Sequence, residues 1–201
     1  MKDSILRLLA ILFLISFAIS SAASAAELKT YRDDTNHFSI KLLNRTSTFP
    51  TSEIDTDGGL GIKLFAAKKG GILSHSNIPV TLVSILGGFQ IEQTSDEQLN
   101  QFATKYDEIW SGSSVAGFDV IRTEKKEIFK MQQSNALFVK VLGAIKDDKK
   151  NHFAYMYHFL FIQNYKLYQI LYIIPAENDP KLESQVIESA QSFTLDRYGK
   201  N

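Results

Sequence analysis

Between Val115 and Ile174 four long extended runs follow one another with hardly any chain left between them. They are Val115–Lys130, Ala136–Ile145, Asn151–Ile162 and Tyr165–Ile174. The breaks are polar, notably Lys146-Asp147-Asp148-Lys149-Lys150 and the pair Gln163-Asn164. Breaks that short return a strand alongside its predecessor, so the four runs predict an antiparallel meander. The first run is long enough to need a bulge or bend.

The third run is apolar on both faces. Phe153, Tyr155, Tyr157, Phe159 and Phe161 fall on one side of a strand. Ala154, Met156, Leu160 and Ile162 fall on the other, together with His152 and His158. Such a strand has to be covered on both faces. The expected class is therefore α+β, a mainly antiparallel sheet with helices or loops on each side.

Two helices are legible. Ser95 with Gln98 three residues on forms a capping box. Leu99, Phe102, Ala103, Tyr106, Ile109 and Trp110 then make one stripe at helical period, ended by Ser111-Gly112. Near the C-terminus Asp179 is a cap, and Pro180 takes the first turn, where a missing N–H costs little. Leu182, Val186, Ile187 and Ala190 form the apolar face of this second helix, and Phe193 closes it. Upstream, Phe38–Leu42, Gly59–Ala67 and Ile78–Leu86 read as shorter strands.

The start of the chain has a different character. Lys2 and Arg7 precede an apolar run from Leu8 to Ile19, broken only by Ser16. Small residues follow, Ser20 to Ala26. These are the three regions of a secretory signal peptide. Ala23-Ser24-Ala25 places the cut after Ala25, with Ala26 as the alternative. The apolar run is shorter than the ~20 residues that span a bilayer. Residues 26–201 are then expected to form one domain, periplasmic or secreted. The later segment Phe153–Ile174 is interrupted by Gln163, Asn164, Lys166 and Gln169, so no transmembrane segment is expected in the mature chain.

Composition narrows the functional classes. Basic and acidic residues number 22 each. That balance gives no clustered positive face for nucleic acid. The chain has no cysteine. Disulfides, thiolate metal sites and a cysteine nucleophile are excluded, as is a lipid attached at a cysteine.

The order of strands, helix, four-strand meander and C-terminal helix goes with three local phrases. They are "YRDDTNHFSI" (Tyr31 to Ile40), "YKLYQILYIIP" (Tyr165 to Pro175) and "IESAQSF" (Ile187 to Phe193). Together they resemble the PsbP-like superfamily. Its members include the extrinsic PsbP subunit of photosystem II, the yeast Ran-binding import factor and exported bacterial proteins of the DcrB type. The resemblance covers Tyr31 to Phe193 and implies an α/β/α sandwich. Two departures are the Leu42-Leu43-Asn44-Arg45 continuation and a sole tryptophan, Trp110, placed in a helix. None of the three phrases is catalytic, so the resemblance implies no site residues.

Glu53, Asp55 and Asp57 before Gly58 resemble the start of a calcium loop, but the twelfth position from Glu53 is Leu64 and not the required glutamate. An acidic turn is the simpler reading. Asp33, Asp34 and His37 are a second weak metal candidate, and His75 reads as an exposed loop residue. His152 and His158 lie about 20 Å apart along a strand and cannot share one ion. Gly112-Ser113-Ser114-Val115-Ala116-Gly117 misses the G-x-S-x-G spacing of a nucleophile elbow. Tyr155, Tyr157, Tyr165, Tyr168 and Tyr172 form the remaining feature. They are core residues or the surface for a partner or ligand, since tyrosine is enriched at interfaces.

These readings favour a non-catalytic exported binding or accessory protein of the bacterial envelope. No cofactor is expected, and the partner would be an envelope protein or membrane complex. The alternatives are a carrier of small apolar ligands, with a pocket between sheet and helices, and a hydrolase or metal-dependent enzyme.

Overall fold

The computed structural model describes residues 28–51, 61–70, 74–110, 114–115, 117–147, 150–177 and 180–196. The signal-peptide reading, Glu53, Asp55 and Asp57, and the cap expected at Asp179 lie outside them.

The elements run β1 (Thr30–Asp33), β2 (Phe38–Lys41), β3 (Ser47–Phe49), β4 (Ile62–Ala67), β5 (Val80–Leu86), α1 (Asp96–Trp110), β6 (Ser114–Val115), β7 (Phe118–Lys130), β8 (Asn135–Asp147), β9 (Lys150–Gln163), β10 (Lys166–Pro175), α2 (Pro180–Gln191) and β11 (Thr194–Leu195). One sheet has the order β3-β4-β5-β10-β9-β8-β7-β6. Each of its neighbouring pairs is antiparallel. A small sheet, β1-β2-β11, stands apart.

The meander is present, and β7 contains two bulges, between Val120 and Arg122 and between Thr123 and Lys125. Gly143 on β8 carries the ring of Phe118, leaving no room there for a Cβ. The tight turn differs from the expectation by one residue. Gln163 pairs with Lys166, so Asn164 and Tyr165 are the two central residues, and both have positive φ. That is the geometry a two-residue hairpin needs to match strand twist.

Side chains of the large sheet divide into two clusters, as period-2 strands require. Phe138, Tyr157, Phe159, Phe161, Ile170 and Tyr172 face α2 and the small sheet. Leu137, Val139, Val141, Met156, Leu171 and Ile173 face α1. The capping box of α1 forms as expected. Gln98 N donates to Ser95 Oγ at 3.2 Å, and Ser95 N donates to Gln98 Oε1 at 2.9 Å.

The small sheet closes on α2. Ser39 and Thr194 hydroxyls meet at 2.7 Å. The outer edge of β11 is satisfied by one side chain: Leu195 N donates to Gln133 Oε1 at 2.8 Å, and Gln133 Nε2 donates to the Leu195 carbonyl at 3.1 Å.

Candidate functional site

The α2-side face of the sheet is not covered to its end. Along β9, Phe161, Phe159 and Tyr157 are buried, Tyr155 is half-buried, and Phe153 is 58% exposed. The register places Leu142 beside Tyr155 and Ala144 beside Phe153. Leu142 is also half-buried. An apolar and aromatic stripe therefore emerges from the core into solvent. The expectation of cover on both faces holds for the inner part of β9 and fails at this end.

Where the stripe meets α2, a charged cluster is built. Lys140 Nζ lies 4.4 Å from the Tyr155 ring centroid and 5.2 Å from that of Tyr157. It donates to Glu183 Oε1 on α2 at 2.8 Å. The Tyr157 hydroxyl donates to the same oxygen at 2.6 Å. The Lys140 hydrogen bond, then that of Tyr157, holds the Glu183 carboxyl below its ordinary range. Burial, then the bond to Glu183, pushes the Tyr157 phenol up. A cation on an aromatic face with its counter-ion on a third group is a rigid arrangement. Further ion pairs flank the stripe: Lys146–Asp119 at 2.8 Å, Arg122–Glu124 at 3.0 Å and Lys125–Glu127 at 2.8 Å. An apolar centre within a rim of closed ion pairs suits contact with another molecule.

Only Tyr155 and Tyr157, of the five tyrosines singled out, belong to this cluster. Tyr172 is fully buried with its hydroxyl 2.9 Å from Ser189 Oγ. Tyr168 is buried against Phe161 and Phe193. Tyr165 is 52% exposed, in the hairpin turn. The structure therefore distributes them among core, site and turn. Lys140, Leu142, Phe153 and Glu183 were missed as site residues. Phe153 was legible only as one more apolar position, and Lys140 with Glu183 needed the placement of a helix on a strand.

Several of the remaining described candidates have partners of their own, whereas Gly112, Ser113 and Ala116, like Glu53, Asp55 and Asp57, lie outside the described residues. Asp33 accepts from Asn36 N and Asn36 Nδ2, both at 2.8 Å, and Asp34 pairs with Arg32 at 2.7 Å. His75 is half-buried, not a free loop residue, because its ring stacks on His152 at 3.9 Å and 20°. Imidazole lone pairs lie in the ring plane, so two nearly parallel rings do not converge on one ion. His158 is fully buried. Its Nδ1 lies 2.9 Å from the Tyr106 hydroxyl and its Nε2 lies 3.2 Å from Gln169 Oε1. Among the described residues no group of three or more His, Cys, Asp or Glu is placed to hold a metal.

A cleft of about 750 Å³ opens to solvent between β2, α2 and the β7–β8 turn. Ile40 and Met131 line it together with Lys41, Lys130, Gln132 and Glu188. Its polar rim and the 2.8 Å Lys41–Glu188 pair do not suit a small apolar ligand.

No family model and no curated protein matches the chain. Solved structures do. The Ran-binding protein Mog1p of Saccharomyces cerevisiae matches with a TM-score of 0.51 and 9% identity, over 84% of this chain and 95% of its own. Cyanobacterial PsbP of Synechocystis sp. PCC 6803 matches with a TM-score of 0.48 and 11% identity, over 87% of this chain and 95% of its own. A protein of Bacteroides thetaiotaomicron VPI-5482 matches with a TM-score of 0.49 and 8% identity, over 86% of this chain. The chain spans half of that protein's length, 50%. At such identities the likeness is one of fold, and the chain is PsbP-like in fold.

Proposed function

We propose that this chain is an exported, non-catalytic binding or accessory protein of the bacterial envelope, whose partner is an envelope protein or membrane complex. The carrying observation is the stripe of Phe153, Tyr155 and Leu142, which leaves the core unsheltered beside the Lys140–Glu183 cluster. Aromatic residues with a paired polar rim are the composition of a recognition surface. Mog1p, with the same fold, is a Ran-binding protein. That supports a protein partner while leaving its identity to the site. The signal peptide expected at residues 1–25 speaks for the envelope and against a nuclear partner. No helix among the described residues is long and apolar enough to cross a membrane.

Two features support a role without catalysis. Lys140 is already closed onto a carboxylate. His158, a residue type suited to general base work, has both ring nitrogens engaged in the interior. One helix packed into each core cluster supports reading the layers as an α/β/α sandwich.

The test is position-specific crosslinking. A photo-reactive amino acid replaces Phe153 in one variant and Ile109, exposed on α1, in another. A discrete adduct is expected from position 153 alone, competed by excess untagged protein and weakened by Tyr155→Ala. Adducts of equal yield from both positions, or from neither, would refute the proposal.

A further inference from the structure

β7 is 13 residues long, yet β6 pairs with it only at Phe118 and Asp119. From Val120 to Lys130 its outer edge pairs with no strand among the described residues. A row of outward N–H and C=O groups is a template for another extended chain. We propose that the β7 edge from Lys125 to Lys130 is a docking site for an extended acidic segment of a partner protein, added as a further strand of the sheet.

The geometry selects that stretch. Both bulges lie before Lys125, and from Lys125 opposite Lys140 to Lys130 opposite Asn135 the ladder with β8 is unbroken. An added strand therefore meets a regular edge of about 20 Å.

Charge selects the occupant. Val120–Lys130 carries Arg122, Lys125, Lys126 and Lys130 against Glu124 and Glu127. Two copies of the edge pair poorly. A two-fold axis between antiparallel copies must set one residue opposite itself, because opposed side chains share a face. Centred on Lys125 or Lys126 it opposes lysine to lysine, and centred on Glu127 it opposes glutamate to glutamate. Centred on Ile128 it opposes Lys126 to Lys130, and centred on Phe129 it leaves only Ile128–Lys130 of the strand to pair. Like charges directly opposed destabilise a pair. On the α1 face the edge presents Lys126, Ile128 and Lys130 in turn. Lys126 is shared with Asp107 at 2.7 Å, whereas Lys130 has no ion pair among the described residues. The complementary strand offers acid, aliphatic, acid at alternate positions. Edge lysines that discourage self-pairing thereby favour a segment of opposite charge.

The probe is a capped peptide, Thr-Glu-Thr-Val-Thr-Glu-Thr, with a control carrying lysine for both glutamates. Backbone amide exchange and chemical shifts are followed in the isotopically labelled protein. Saturating acidic peptide is expected to slow outward amides within Lys125–Lys130. Lys130→Glu is expected to weaken its binding about fivefold, the effect of one cross-strand charge pair. Failure of the peptide to protect these amides at millimolar concentration would overturn the proposal. So would equal binding of the lysine peptide, or a dimer paired through β7. The crosslink at position 153 reads a surface two strands away, so either result stands without the other.

Discussion

Acid should weaken this fold in a window set by one histidine. His158 is fully buried on the α1 side, with the Trp110 ring nearly perpendicular to it at a centroid distance of 5.4 Å. Gln169 Oε1 is an acceptor, so Nε2–H donates to it and Nδ1 accepts from the Tyr106 hydroxyl. The site thus holds a neutral imidazole. Burial drives its pKa down to about 3, against a weaker upward pull from Gln169. In the unfolded chain the same group takes a proton near pH 6.5. Between those values the unfolded state binds the extra proton, so stability falls as pH falls. Integrated from pH 7 to pH 5, the loss is about 2 kcal/mol, or roughly 4–8 °C in Tm for a domain of this size. Urea melts at pH 7, 6 and 5 of the native protein and of His158→Gln provide the assay. The variant starts less stable but keeps His37, His75 and His152, so the difference between the two slopes belongs to His158. Equal slopes would show that the buried imidazole does not govern the acid response. The depressed carboxylates of Asp107 and Glu183 act at lower pH. Their contribution is present above their unfolded values and is lost as pH falls through the folded ones, so it does not obscure this window.

Three further outcomes follow from particular residues. Tyr165→Gly should stabilise by about 1 kcal/mol, because glycine takes a left-handed φ without the strain of a Cβ and the exposed ring gives up little burial; a lower urea midpoint would contradict it. Ser95→Ala should cost about 1 kcal/mol through the lost cap, read as a reduced midpoint with an unchanged m-value. Gly143→Ala should cost about 1–3 kcal/mol, since the new methyl displaces the Phe118 ring and stands 2.6 Å from the Asp119 carbonyl; an unchanged melting curve would show that β7 gives way freely.

Local signals carried the features that were legible beforehand. The capping box, the stripe of α1 and the alternation on β9 each lie within a few residues, so their chemistry is visible in the string. The small sheet is not local. β11 has two residues, and Thr194 finds Ser39 only because α2 delivers it there. β1 went unread because Thr30–Asp33 is mostly polar with one half-buried ring. Composition also missed the turn: glutamine and asparagine both read as polar, but only backbone register shows that Tyr165 takes the second left-handed position. The site was hidden for a related reason. Phe153 and Phe159 are equivalent by periodicity, and their burial differs because the covering layer ends between them.

β10 stands at the middle of the large sheet, between β5 and β9, although it follows both of them along the chain. The β3–β5 and β6–β9 halves share no ladder without it. Val80–Leu86 must wait for Leu167–Ile173 before its open side is closed. Pairing over such sequence distance folds slowly. A chain halted before Lys166 would also leave the facing edges of β5 and β9 raw, a state more exposed to aggregation. The topology therefore withholds closure of the large sheet until β10 has been delivered.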